Sequence, residues 1–324
     1  MQSIVLGGLK HLATLASGLG KQKKLFILIY HRVLDEPDFM RPGEVDRHAF
    51  NWQMALLSRY FNVLSLDDAL QRLQSDTLPP RAVTITFDDG YADNHANALP
   101  ILKNHGLTAT FFIASGYLNG GRMWNDSIIE AIRSMPQPLL DLSAIGLGRY
   151  ALATPAEKAA STQQILTKIK HLAPEQRAEH TRYIEQQATY LPDDLMLSTE
   201  QLVQLHQNGM EIGGHTVTHP IMANLSDTEV IRELAENKQF LEQLLGGQIR
   251  YFAYPNGKTG QDYLPDQSAL LKACGYQAAL TTEWGVADKT SEVWQLPRFT
   301  PWDKSPIKFM ARMARLYYQH NPTH

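Results

Sequence analysis

One cysteine in 324 residues leaves no internal disulfide to be made, which excludes a small scaffold held by cross-links and agrees with a reducing compartment. That residue, Cys274, precedes Gly275 in an apolar setting and reads as a small buried side chain. Neither sign of charge is in excess. Thirty Lys and Arg against 33 Asp and Glu give −3, with no basic block or stripe, and the electrostatic footprint of a nucleic-acid binder is missing. Long apolar runs are lacking too. The opening MQSIVLGGLKHLATLASGLGKQKK is broken by Lys10 and His11, has no basic start, and is too short and polar to cross a bilayer, so it reads as neither cleaved signal nor transmembrane segment. Ile4, Leu9, Leu12, Leu15 and Leu19 instead suit a helix within 1–24 with one apolar side, packed on the body of the protein. The alternative is an anionic membrane surface, with Lys21, Lys23 and Lys24 beside it. Work in the cytoplasm, or at the inner membrane surface, is the expectation.

What is present is alternation. From residue 25 onward β-rich runs (LFILIY, FNVL, AVTITF, TATFFIA, MEIGG, IRYFAY, YQAALTT and WQLPRF) are separated by segments of helical period. In one of these, SDTEVIRELAENKQFLEQLLGG, Ser226 and Glu229 form a capping box and Gly246 and Gly247 supply the stop. Continuous apolar runs suit strands covered on both faces, and seven or eight of them favour an α/β fold closed into a barrel. From about Trp124 to Leu197 the chain is helical and polar without a convincing strand, a helical insertion after the fourth strand that would form a lid, a rim, or an ordinary excursion. A single domain over 25–320 is expected.

Chemistry concentrates at strand ends. Asp88 and Asp89 follow AVTITF, where barrel enzymes place their reacting groups. One Asp before a Gly is explained by a turn; the second needs another reason. After MEI comes GGHTVTHP, in which His215 and His219 stand four apart, so a single helix-like turn would aim both rings at one point. Two His and a carboxylate make the three protein ligands of an open metal site. One acid of the pair would then bind the ion while its neighbour takes a proton from water, whose pKa a divalent ion lowers to roughly 7. Hydrolysis of a carbonyl compound is implied.

TFDDG followed by HTVTHP resembles the polysaccharide deacetylase family, carbohydrate esterase family four, also called the NodB homology domain. The resemblance implies a distorted (β/α)7 barrel that removes N-acetyl groups from sugars, with Asp88 as general base and Asp89, His215 and His219 holding a metal, usually zinc. Two departures stand out. AYPNG puts Ala253 where the family has a base-orienting Arg and Asn256 where it has an aromatic; LPRFTPW lacks the late acid His, and only His320 and His324 follow His219. His31, ending the first strand in LIYHRV, resembles the N-terminal acid of the branch acting on poly-N-acetylglucosamine. Arg32 and Arg298 are the candidates to replace the orienting Arg.

These roles imply a bell-shaped dependence of rate on pH, with ionised Asp88 and charged His31, and a backbone N–H near Tyr254 or Tyr91 for the oxyanion. Tyr91, Tyr254, Pro255, Trp124 and Trp284 are the substrate-binding candidates, with Trp302 also near a late strand end. Asn125 or Asp126 reads as the cap of the helix SIIEAI. The expected substrate is an N-acetylated glycan or its lipid-linked precursor. Removal of formyl groups or opening of a small cyclic amide on the same scaffold is one alternative, and a carbohydrate-binding relative without turnover is another.

Overall fold

A computed structural model describes residues 2–18 and 23–318. Leu19, Lys21, His320 and His324, and the side chains of Ile4 and Leu15, lie outside the described residues. Every β-rich run contains a strand: β1 (Lys24–Tyr30), β2 (Asn62–Val63), β3 (Ala82–Phe87), β4 (Thr110–Ile113), β5 (Glu211–Gly214), β6 (Tyr251–Ala253), β7 (Ala278–Trp284) and β8 (Leu296–Arg298). Seven pair in parallel in the order β1-β3-β4-β5-β6-β7-β8, and β2 lies against the start of β3. Between β8 and β1 the ladder thins to two hydrogen bonds: Phe299 N–H donates to Ile27 O at 2.9 Å and Ile29 N–H to Phe299 O at 3.0 Å. The sheet is thus nearly closed, a distorted (β/α)7 barrel.

Both faces of the strands are buried, which is why the runs are continuous rather than alternating. Leu25 and Ile27 point inward with Phe112, Tyr251, Ala253, Leu280 and Leu296, and Leu66, Leu70 and Leu73 of the helix Leu66–Gln74 join the same cluster. Phe26, Leu28 and Tyr30 point outward, into the layer shared with the surrounding helices. The helix Asp227–Leu245 has the capping box read from Ser226 and Glu229 and ends at Gly246 with φ 69°. Arg47–Tyr60 and Pro306–Tyr318 flank the closing edge.

The stretch 124–197 departs from expectation. Helices Trp124–Ser134, Pro155–Ile169 and Pro174–Glu185 enclose an apolar cluster of their own with Ile128, Ile132, Ile165 and Ile184, but Leu139–Leu142 and Gly148–Ala151 form an antiparallel hairpin within it. Its strands alternate exposed and buried over four residues each, too short a pattern to stand out in a polar sequence. Asp126 does not cap a helix: Trp124–Ser134 starts before it, and its carboxylate accepts from Arg41 Nη2 at 2.7 Å. At the N-terminus, the helix Gln2–Gly18 lies along Pro306–Tyr318 with Leu6 and Leu9 against the core and Ala13 buried, whereas Leu12, expected on the packed side, is half exposed. No helix among the described residues is long and apolar enough to cross a membrane.

Candidate active site and metal centre

Parallel strands bring their C-terminal ends to one mouth, so residues far apart in sequence meet there. β3 delivers Asp88 and Asp89, β5 delivers His215 and His219, β1 delivers His31, and β8 delivers Arg298. Backbone strain gathers at the same place: Asp89 (φ 76°), Thr216 (φ 65°) and His219 (φ 52°) all adopt the left-handed conformation. Such conformations cost of order 1–3 kcal/mol for residues other than glycine and persist where surrounding contacts impose them.

Those contacts are visible. His219 does not follow His215 on a helical turn; residues 215–219 form a loop, and its two left-handed residues turn the rings together, with centroids 4.8 Å apart. Glu233 and Asn237, one turn apart on the helix Asp227–Leu245, grip that loop. Glu233 accepts from Val217 N–H at 2.8 Å, Thr218 N–H at 2.9 Å and the Thr218 hydroxyl at 2.7 Å. Asn237 Nδ2 donates to Thr216 O, Ile113 O and Ser115 Oγ. Neither residue was singled out by sequence, although a polar i, i+4 pair on the buried face of an amphipathic helix is the available signal. The two glycines before His215 are also explained. A Cβ on Gly213 would lie 2.4 Å from the Phe112 ring, and one on Gly214 would lie 2.4 Å from the Tyr276 hydroxyl, so no side chain fits on either face.

His215 Nδ1 lies 2.7 Å from Ala253 O and must donate to it, because a carbonyl only accepts; in the neutral ring the lone pair is then on Nε2. Nε2 faces Asp89 Oδ1 at 3.2 Å, and His219 Nε2 faces the same oxygen at 3.3 Å. Burial pushes the His219 pKa down to about 4, Asp89 opposing and His215 adding to the effect, so the His219 ring is neutral. Burial would raise the Asp89 carboxyl, but His219, His215 and His31 outweigh it and leave it well below the usual range. Its Oδ1 is buried with no hydrogen-bond donor. Three electron-pair donors within 4.8 Å of one another repel unless a cation lies between them. A tetrahedral ion with bonds of about 2.1 Å spaces its ligands at roughly 3.4 Å, so the three residues fit such a group.

Asp88 has a different environment. Arg298, fully buried, donates Nη1–H to Oδ1 at 2.7 Å and Nη2–H to Oδ2 at 2.6 Å, while its Nε–H is fixed by Thr281 O at 2.7 Å. Burial pushes the Asp88 pKa up; Arg298, then His215, override it and hold the carboxyl ionised below its ordinary value. Of the two arginines read as candidates to orient Asp88, Arg298 pairs with it. Arg32 does not: its Nε donates to Asp93 at 2.7 Å and its guanidinium lies 4.6 Å over the Tyr91 ring. Burial lowers the His31 pKa, and Asp89, Glu44 and Asp88 outweigh that, leaving it above 6.5.

The substrate candidates divide. Tyr254 is fully buried and stacked on Tyr263 at 3.7 Å, and its N–H donates to Leu280 O, so neither its ring nor its amide is available to a ligand. Pro255 is buried beside it. The Tyr91 hydroxyl donates to Asp126 at 2.9 Å, but its N–H has no acceptor among the described residues and directly follows Gly90 at the mouth. Trp124 lines a pocket with Lys170, Asn256 and His219, which joins the insertion to the metal-binding residues. Trp284 is 46 % exposed and stacked on Trp302.

The family model described as Polysaccharide deacetylase matches residues 75–140 and 154–279. A curated relative, "Putative polysaccharide deacetylase YxkH" of Bacillus subtilis, is 23 % identical over 86 % of this chain and 71 % of its own. Two solved structures share the fold. The Streptococcus pyogenes deacetylase PplD in complex with acetate has a TM-score of 0.61 at 19 % identity over 91 % of this chain and 99 % of that one. IcaB from Ammonifex degensii has a TM-score of 0.58 at 19 % identity over 91 % and 97 %.

Proposed function

The chain belongs to the polysaccharide deacetylase family, hydrolases of carbon–nitrogen bonds other than peptide bonds, and from that premise we propose that it removes N-acetyl groups from amino sugars of a bacterial polysaccharide or its lipid-linked precursor. The observation that carries this reading is the buried pair Asp88–Arg298 beside three converging acceptors, Asp89, His215 and His219. Asp89, His215 and His219 would hold one divalent cation, proposed as zinc, which supplies Lewis-acid charge to the acetamide carbonyl and makes water easier to deprotonate.

Asp88, ionised and aimed by two bonds from Arg298, takes the proton from the attacking water. The Tyr91 N–H is the donor for the oxygen on which charge develops. His31, whose pKa the surrounding carboxylates raise against the effect of burial, delivers a proton to the departing amine. Trp124, Lys170 and Asn256 form one wall for the sugar, and Trp284 stands at the end of β7 in register with Arg298. Val5 and Leu12, exposed on the N-terminal helix, support peripheral contact with a membrane surface. Arg298 in the place of the missing orienting Arg favours turnover over a binding role alone.

Acetate release from a linear tetramer of N-acetylglucosamine, compared with a panel of formamides and small cyclic amides, tests the reaction. Turnover of the tetramer that Asp88→Asn abolishes is the expected result. Turnover confined to the small amides, or tight tetramer binding without acetate in zinc-loaded protein, would overturn it.

A further inference from the structure

His31 stands one residue beyond the barrel sheet. The ladder between β1 and β3 ends where Asp88 N–H donates to Tyr30 O at 2.9 Å, and the contact with β8 ends at Ile29 and Phe299. From His31 to Val33 the backbone needs other partners, because peptide groups taken from water are costly to leave unpaired. Side chains supply them. Asn94 Nδ2–H donates to His31 O at 2.9 Å, and Asn97 Nδ2–H donates to Val33 O at 2.8 Å. Between them, Asp93 accepts from Val33 N–H at 3.1 Å and from Arg32 Nε–H at 2.7 Å. Glu44, from a separate loop, accepts from Arg32 N–H at 3.3 Å.

Three of these four side chains belong to one short stretch, and Asn94 is fully buried there. Residues Asn94–Ala98 wind as a π-helical turn, in which Leu99 N–H donates to Asn94 O, five residues back. Such turns are rare and occur mostly at functional sites. This one follows directly on the run DDGYAD that begins with Asp88 and Asp89. The stretch 88–97 thus carries the proposed base, a proposed metal ligand and a clamp on the segment that carries the proposed acid. We infer that Asn94, with Asp93 and Asn97 beside it, is a positioning residue for His31, fixing its backbone relative to Asp88 so that the imidazole meets the departing amine. The inference rests on the proposed deacetylation with His31 as acid. Asn94 touches no substrate; its loss should disturb delivery of the proton and leave attack of water on the carbonyl in place.

Two leaving groups separate those steps. The amine of an acetamide departs only with a proton, whereas 4-nitrophenolate leaves 4-nitrophenyl acetate without one. In zinc-loaded protein, Asn94→Ala should lower kcat on the N-acetylglucosamine tetramer about ten- to a hundredfold, with KM changed by less than about twofold, the size expected of a misplaced reacting group. Hydrolysis of the ester should fall much less, so the ratio of tetramer to ester turnover drops. Asn97→Ala, which frees only Val33 O, should give a smaller drop of the same kind and serves as the test where Asn94→Ala does not fold. His31→Ala should lower the ratio further, and the double variant His31→Ala/Asn94→Ala no further than His31→Ala alone. Equal losses on both substrates, or an unchanged ratio in the asparagine variants while His31→Ala shows the drop, would overturn the positioning role and leave the acid standing. A wild-type enzyme that cleaves the ester but releases no acetate from the tetramer would instead sink the deacetylase reading, and the inference with it.

Discussion

Asp88 and Asp89 are adjacent yet face different chemistry, because one meets a guanidinium and the other two imidazole lone pairs. Arg298→Met should leave Asp88 buried without its cation, so its pKa rises and the acid limb of kcat/KM moves up by about one to three pH units. A pH–rate profile checks this; an unmoved limb would mean that Asp88 is not the base. His31→Ala should lower kcat by roughly 10² to 10⁴ and remove the alkaline limb, since the acid form is required and is lost as pH rises through a value above 6.5. Zinc binding measured in the same variant should persist. The convergence of the acid pair and the two histidines was legible in sequence because strand ends mark them, although a loop with two left-handed residues, and not the helical turn read from the spacing, brings the two rings together. The choice between Arg298 and Arg32 was not, because it depends on Asp93, 61 positions from Arg32 and folded against it. Tyr254 was misread for a related reason: nothing local shows that Tyr263 covers its ring.

At the scale of elements, the metal-binding loop is shaped by a helix that carries no ligand. Glu233→Gln keeps the size of the side chain and removes the charge that three donors share, so zinc affinity should fall about 10- to 100-fold, as for other groups that orient ligands. Competition with a chromophoric chelator measures it, and unchanged affinity would show the loop to be held by other means. Gly214→Ala should push the end of β5 away from Tyr276 and Asn237, at a cost of about 1–3 kcal/mol in urea unfolding. The strands could be read in advance because burial on both faces makes short but unbroken apolar runs. The hairpin in the insertion and the loop 215–219 could not, since both are set by contacts with other elements rather than by periodicity.

On the scale of the whole molecule, the insertion is tied to the barrel through buried charge. Arg41 donates to Asp126 at 2.7 Å and Glu130 at 2.5 Å, and Asp126 also accepts from Tyr91, whose N–H is the proposed oxyanion donor. Arg41→Met should therefore cost about 3–5 kcal/mol in stability, because two carboxylates lose their buried partner. A stability within 1 kcal/mol of wild type would show that the insertion docks by its apolar cluster alone. The central claim is that side chains from two strand ends close on one divalent ion beside Asp88. An anomalous difference map from a zinc-soaked crystal, recorded at the zinc edge, tests it most directly. The account predicts one strong peak about 2.0–2.2 Å from Asp89, His215 Nε2 and His219 Nε2. No peak there, or zinc bound only elsewhere, would contradict it.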